Sequence, residues 1–422
     1  MKVLLVGSGG REDAMAQSIM KSSLLEKLYI APGNGGSPCE RVNIKALDIE
    51  GIVAFAKEKS IDLVIVGPES PLIKGMADEL KKAGVLVFGC SKEAAQMEGS
   101  KIYAKKLMLE NGIPTGLCEI FNNSKDAIDY INNVASQTGT PIVVKADGEA
   151  AGKGVVVTSD PSIAIDAVKD IMDNKIFGAS GDNIIIEEYL DGQETTVLSF
   201  VDGENYYIMP PSQDHKRAFD GDKGPNTGGM GVYSPVPVFD EKTKEFVENN
   251  IIKKTLKALK DRGIHYKGVL YTGLALTSKG PKVVEFNVRF GDPETQVILP
   301  LMETDFLEVC YKTAKGELKD MDIKFKDKKA VSVVLASGGY PGSYEKGFEI
   351  KGIEEAEALG ALVFHAGDEI KDGKLVTNGG RVLNVTCIGD DYKDCIDKVY
   401  KCVEKITWTD MFYRKDIAHR VL

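Results

Sequence analysis

The sequence predicts a multidomain α/β and α+β protein that opens on a doubly wound parallel sheet. Three observations carry that reading. Over roughly the first hundred residues, continuous apolar strands alternate with helical stretches, and glycine or proline stands at nearly every strand end. Between residues 141 and 158, two valine-rich strands frame a run of small residues with a lysine near each end. From Pro281 to Asn287, polar and apolar residues alternate with the period of a half-buried strand, and a Gly-Asp-Pro-Glu turn follows. At 422 residues the length fits about three domains, each able to bury a core of its own.

Bulk properties narrow the field. A formal charge of −10 argues against a nucleic-acid surface while leaving room for a local basic pocket around a small anion. The seven cysteines are scattered without a C-x-x-C pair, a pattern of reduced thiols rather than disulfides or zinc ligands. The N-terminal apolar run is broken by glycine and charge from Gly7 to Asp13, unlike a signal peptide. No apolar run reaches the ~18 residues of a membrane span. The expectation is a cytoplasmic protein with neither nucleic acid nor membrane as partner.

The opening sheet is read from Val3–Val6, Leu28–Ile30, Leu63–Val66 and Val85–Phe88, with helices from about Glu12, from Ile49 to Glu58 and up to Ala83. Ligands of such sheets gather at the carboxyl ends of the strands, here Gly7–Arg11, Pro32–Gly36 and Gly67–Pro71. A nicotinamide fold is the obvious rival. Its G-x-G-x-x-G fingerprint fails at Glu12, and the second strand ends in Ile30-Ala31-Pro32 without the acid that would hold a ribose. The Gly7–Arg11 loop therefore reads either as an anion contact or as an ordinary tight turn.

Ser100 caps a helix that ends near Gly112-Ile113-Pro114. Pro141–Lys145 and Gly154–Thr158 are strands, joined by Ala146–Lys153. Lys153 is followed by glycine and a strand rather than by Ser or Thr and a helix, so a Walker-type P-loop is excluded. Small residues can still let backbone N–H groups approach phosphates, with Lys145 and Lys153 supplying charge; a flexible hairpin is the plain alternative. Asn183–Leu190 is an apolar strand ending in Glu187 and Glu188, suited to a purine edge or else merely solvated, and Glu194 lies within reach of a ribose. Thr196–Val201 and Tyr206–Met209 form a hairpin about Asp202-Gly203.

Ser212 to Gly231 is a long polar stretch with Gly-Pro turns, read as a loop closing over a substrate. A helix from about Glu241 to Asp261 and a strand from Gly268 to Leu276 lead into the alternating strand. Period 2 puts Glu285, Asn287 and Arg289 on one face, with Val284, Phe286 and Val288 on the other. A carboxylate and a neutral oxygen at that spacing suit Mg2+, which takes one or two carboxylates plus phosphate oxygens. Arg289 can grip a phosphate or carboxylate with two parallel hydrogen bonds. A solvated edge strand is the alternative. After a helix near Asp305–Lys315 and the charged linker Lys324–Lys329, a last module holds strands Val331–Ala336 and Val382–Ile388 and a helix near Lys393–Ile406. There, Asn378-Gly379-Gly380-Arg381 reads as a phosphate contact or a surface hairpin.

Together these segments resemble the ATP-grasp ligases, and within them the phosphoribosylamine–glycine ligase family of purine biosynthesis, essentially end to end. The resemblance is carried by Gly9-Gly10-Arg11-Glu12, Ala31–Asn34, Val66–Glu69, Lys145–Gly148 and Ala150–Gly154. It continues through Ser212–Arg217, Gly224–Gly231, Arg289–Gln296 and Asn378–Arg381. Two residues depart from the family pattern: Asp13, where histidine is usual, and Glu149, where leucine is usual.

The resemblance implies a preATP-grasp domain at 1–102, an ATP-grasp body at 103–122 and 192–325, an inserted lid at 123–191, and a barrel-like C-terminal domain at 326–422. It implies an enzyme that joins glycine to 5-phosphoribosylamine through glycyl phosphate, expected to act as a monomer. Lys105, Lys145, Gly148, Gly152, Lys153 and Gly154 would meet ATP phosphates. Glu187, Glu188 and Leu190 would line the adenine, and Glu194 the ribose. Glu285 and Asn287 would hold Mg2+ or Mn2+. Arg289, Asp292 and Asp214 are the expected catalytic corner around glycine. Gly9, Gly10, Arg11, Gly33, Asn34 and Arg381 are the expected phosphoribosylamine contacts. Within the same fold, a carboxylating or peptide-forming ligase is the nearest alternative.

Overall fold

The computed structural model describes residues 1–138, 140–148 and 154–422, with backbone alone at 134–138. Strands β1 (Lys2–Gly7), β2 (Lys27–Pro32), β3 (Glu40–Arg41), β4 (Leu63–Val66) and β5 (Leu86–Phe88) form one parallel sheet in the order β3-β2-β1-β4-β5. Val3, Leu4, Leu5 and Val6 are fully buried, as the unbroken apolar run requires of a strand covered on both faces. The first helix begins at Gly10, two residues before the expected Glu12. The stretch up to Ala83 holds two helices, Glu69–Ile73 and Met76–Lys82, separated at Gly75, whose φ of +93° is a left-handed value that glycine adopts without steric cost.

The helix Lys101–Glu110 starts where expected, with Ser100 Oγ accepting from Tyr103 N at 3.0 Å. β6 (Cys118–Phe121), β7 (Ile142–Ala146), β8 (Val155–Thr158) and β9 (Ile184–Glu188) make an antiparallel sheet in the order β6-β9-β7-β8. This sheet packs on the helices Ser124–Thr138 and Pro161–Val168 around a small core of its own, including Ile131, Val144, Val168 and Ile186. β6 lies before residue 123, yet pairs with β9 inside this unit.

β10 (Gly192–Asp202) and β11 (Tyr206–Ile208) form the hairpin read from the sequence. The polar stretch after it is not a plain loop: it contains β12 (Gln213–Asp214), β13 (Arg217–Phe219), β14 (Lys223–Asn226) and β15 (Gly231–Ser234). β16 (Lys267–Thr277) and β17 (Gly280–Asn287) complete a second antiparallel sheet, β11-β10-β16-β17, with β10 and β16 paired along their full lengths. One register differs from expectation. Gly273 faces Glu285 while Leu274 faces Val283, so Val284 is the extra residue of a bulge. The core residues of this strand are therefore Val283 and Phe286; Val284, expected in the core, lines the cleft instead.

β18 (Lys329–Ala336), β19 (Leu362–His365) and β22 (Arg381–Gly389) join β12 and β15 in a sheet ordered β12-β15-β18-β22-β19, while β20 (Asp368–Lys371) and β21 (Lys374–Thr377) form a separate hairpin. The C-terminal sheet thus takes two strands from before residue 326. The helix Tyr392–Val403 covers it, capped by Asp391. Among the described residues, no helix is long and apolar enough to cross a membrane.

Candidate active site

A cleft of about 440 Å³ opens between the two antiparallel sheets and the ends of the parallel one. β7 brings Lys145 and the helix Lys101–Glu110 brings Lys105 to one wall. β17 brings Glu285 and Asn287, and the turn after it brings Arg289 and Asp292. β12 supplies Asp214, the first helix Arg11, and β22 Arg381. Gly148, Gly154 and Glu187 line the same cleft. Gly152 and Lys153 lie outside the described residues.

At the lysine end, Glu187 is buried between two ammonium groups, 3.0 Å from Lys145 and 3.3 Å from Lys105. Lys105 Nζ also donates to Thr115 Oγ1 at 2.6 Å. Burial lowers the Lys105 pKa, against the pull of Glu187. The Glu187 carboxylate is thus a counter-ion to both lysines. Glu188 reaches out to Lys282 at 2.5 Å, and Glu194 pairs with Lys216 at 2.7 Å. Leu190 is half-buried beside Gly116.

In the middle of the cleft, burial works against the Glu285 charge, but Lys216, Lys145, Lys101 and Arg289 together hold its pKa below the ordinary value. Among the described residues none of these cations is within 4.0 Å of it as an ion pair, and no cluster of three or more His, Cys, Asp or Glu forms a closed metal cage. A charged carboxylate without a direct counter-ion, beside the Asn287 oxygen on the same strand face, fits a hard divalent cation completed by phosphate oxygens.

At the far end, Arg289 is gripped from both sides. Its Nη2 meets Glu98 at 2.9 Å and its Nε meets Glu69 at 3.1 Å, with Nη1 on the Phe290 carbonyl at 3.3 Å. Burial opposes this charge, and Glu98 and Glu69 more than offset it. Glu98 also accepts from Val288 N at 2.8 Å, while burial, against Arg289, pushes its own pKa to about 7. Asp214 is likewise raised to about 7 by burial; Lys216 opposes the shift, and Glu294, Glu194 and Glu285 add to it. Lys216 itself stays charged: burial is outweighed by Glu194 and Asp214. Asp292 is held low by Arg381 and Arg11 against burial. The Arg381 fork is partly occupied, with Nη1 donating to the carbonyls of Gly228 at 2.7 Å and Asp292 at 2.8 Å.

Four of the expected phosphoribosylamine contacts have partners within the fold. Asn34 is buried, its Nδ2 donating to the carbonyls of Ser8 and His365 at 3.1 and 2.8 Å. Gly10 sits so close to Gln296 and Asn384 that a Cβ there would lie 2.6–2.7 Å from their side chains. Gly9 N donates to Glu12 Oε2 at 2.7 Å, and Gly33 N to the Gly7 carbonyl at 3.1 Å. Glu12 fills the space above Gly7 and Gly67, so a buried carboxylate occupies the place where a dinucleotide fold would cradle phosphate. Sequence reasoning missed Lys101, Lys216, Glu69, Glu98 and Tyr271, all on the cleft wall. Lys101 had a signal, standing one helical turn before Lys105.

Two opposed antiparallel sheets, with Lys145 on one and Glu285 and Asn287 on the other, have the architecture of an ATP-grasp enzyme. The biotin carboxylase domain of the Hydrogenobacter thermophilus 2-oxoglutarate carboxylase shares that fold, with a TM-score of 0.73 over 97% of this chain and 91% of the other at 15% identity. More narrowly, the chain belongs to the phosphoribosylglycinamide synthetase family, whose N domain matches residues 1–98, ATP-grasp (A) domain residues 99–295 and C domain residues 330–420. It is 49% identical over 420 residues to the phosphoribosylamine–glycine ligase of Caldanaerobacter subterraneus subsp. tengcongensis, covering 99% of both. The crystal structure of the phosphoribosylamine–glycine ligase of Thermotoga maritima matches with a TM-score of 0.85 at 34% identity, covering 99% of this chain and 100% of that one.

Proposed function

We propose that this chain ligates glycine to 5-phosphoribosylamine at the expense of ATP, giving N1-(5-phosphoribosyl)glycinamide, ADP and phosphate, the second step of de novo purine synthesis. The observation that carries the reading is one cleft with a lysine wall, an oxygen-ligand strand and an arginine-carboxylate corner in sequence. That order matches the three parts of the reaction: a polyphosphate, a metal, and a small zwitterion with its acceptor amine.

A carboxylate resists amines because it is anionic and its oxygen leaves poorly. In the first step a glycine carboxylate oxygen attacks the γ-phosphorus of ATP, and the bond to the β-bridging oxygen breaks to release ADP. In the second, the amine of phosphoribosylamine attacks the acyl carbon, phosphate leaves with its electron pair, and the nitrogen loses a proton. Lys105, Lys145 and Lys101 would neutralise the phosphates, with Gly148 and Gly154 admitting them close to the backbone. Glu285 and Asn287 would hold Mg2+ or Mn2+, which supplies charge neutralisation for the transferring phosphoryl group. Arg289, fixed by Glu98 and Glu69, is a preset donor for the anionic carboxylate and its adduct, so catalysis is mainly positioning and charge stabilisation. Asp214 and Asp292 would receive the glycine ammonium. A carboxylate whose pKa stands near 7, as at Asp214, also suits the proton lost in the second step. Arg11 and Arg381 border the corner where phosphoribosylamine would enter, with Gly9, Gly10, Gly33 and Asn34 shaping that edge through packing. Glu188 and Leu190 would frame the adenine, and Glu194 the ribose.

The same reading divides the chain at 1–102, 103–122 with 192–325, 123–191 and 326–422, and places it in the cytoplasm as a monomer. ADP release is the test: it should require both glycine and phosphoribosylamine generated in place. Release with bicarbonate or another acid, and none with glycine, would overturn the substrate assignment.

A further inference from the structure

Three features outside the reaction's direct contacts meet at one place. Arg414 is 1% exposed, with its guanidinium held by Asp416 at 2.8 Å, Asp222 at 2.9 Å and the Arg217 carbonyl at 3.1 Å. Ala418 has φ +63°, a left-handed conformation that costs an L-residue with a Cβ and persists only where the surroundings enforce it. His215 is completely buried, and its Nε2 accepts from Ala418 N at 3.0 Å.

His215 lies between Asp214 and Lys216, whose side chains line the cleft. Its own ring turns the other way, onto the C-terminal tail, as the alternation of an extended chain demands. Its backbone is pinned as well: His215 N donates to the Gly231 carbonyl, and Met230 N donates to the His215 carbonyl, both at 2.8 Å. The tail repeats the grip along the β13–β14 hairpin. Gly221 N donates to Asp416, Lys415 N donates to Asp220, and Arg420 meets Asp222 at 2.6 Å. Ile417 packs so tightly on Gly231 that a Cβ there would lie 2.5 Å from it.

We propose that the C-terminal strap from Arg414 to Arg420 holds the Asp214–Lys216 segment at its working position, and that His215 is the positioning residue through which it acts. The strained Ala418 conformation is the price of aiming its N–H at His215 Nε2. Burial keeps the imidazole neutral, its pKa lowered to about 4, so the ring stays an acceptor through the physiological range. The inference rests on the reading of Asp214 as a reaction residue.

Because truncating the strap or replacing Arg414 would leave buried charges unpaired and endanger folding, the test uses His215. His215→Leu removes the acceptor at similar volume, and His215→Gln returns an oxygen near the Nε2 position. In the leucine variant kcat should fall tenfold or more while the KM for ATP moves less than twofold, since the lysine wall is untouched. Backbone amides between 212 and 231 should exchange with deuterium at least tenfold faster. Glutamine should restore both to within about threefold. A leucine variant with wild-type kcat and exchange, or a loss that glutamine does not repair, overturns the proposal. If the wild-type protein releases no ADP with glycine and phosphoribosylamine together, the functional reading falls, and the exchange rates still decide the strap.

Discussion

Glu187 gives the sharpest test of the lysine wall. Its carboxylate is buried between Lys145 and Lys105 at 3.0 and 3.3 Å, so Glu187→Gln leaves two ammonium groups sharing one neutral oxygen. Unit charges ~4 Å apart attract by about 4 kcal/mol at an effective dielectric of ~20, and breaking one partner of a buried pair costs ~3–5 kcal/mol. The lysines keep Thr115 and backbone carbonyls as acceptors, which puts the expected loss at the lower end, about 3 kcal/mol. At a urea slope of ~1–3 kcal/mol per molar, the unfolding midpoint should fall by about 1–3 M. A non-hydrolysable ATP analogue changes the balance, because its phosphates give the lysines back their counter-charge. Saturation at ~100 times Kd stabilises any binding-competent fold by about 2.7 kcal/mol, and the variant should gain more than that, closing at least half the gap. The assay is urea unfolding of both proteins with and without the analogue. An unchanged midpoint without nucleotide, together with a raised KM for ATP, would refute the counter-ion role and return Glu187 to the adenine edge. A gap indifferent to nucleotide would mean that the lysines do not meet phosphate.

Glu285→Gln should cut turnover by at least ~100-fold, the scale of removing one preorganised electrostatic group, with the melting temperature within about 2 °C of wild type because no direct ion pair is lost; a Mg2+ titration of the residual rate checks the cause. Arg289→Lys keeps the charge but cannot face Glu98 and Glu69 at once, so kcat should fall ~10- to 100-fold with the KM for ATP nearly unchanged. Asp13→Asn should stabilise the protein, and only above acid pH. Burial raises the Asp13 pKa from 3.8 to about 7, so the native state keeps a proton the unfolded chain has lost. That contribution is intact below pH 4 and disappears as pH climbs from 4 to 7, with a ceiling of about 4 kcal/mol at ~1.4 kcal/mol per pH unit. Urea midpoints at pH 5 and pH 8 should show an Asn advantage that grows with pH, and a constant difference would remove Asp13 as its source.

What could be read from the chain depended on how far away the deciding partner lies. β1 and β4 were legible because an apolar run already implies burial on both faces. The polar face of β17, with Glu285 and Asn287 in the cleft, was legible because a period of 2 is local. The same pattern misplaced Val284, since a bulge is fixed by the partner strand, through Gly273 opposite Glu285 and Leu274 opposite Val283. Asp214 sat in a stretch that reads as a polar loop, because its strand pairs with β15, which in turn needs β18 about a hundred residues on. Glu98 and Glu69 carry no local mark: each is an ordinary helical acid until Arg289, some two hundred residues later, folds between them. The glycines make the reason plainest. A missing Cβ lets something approach the backbone, and at Gly10 that something is the side chains of Gln296 and Asn384. A motif therefore names the atom that is absent, and only the fold names what enters the space.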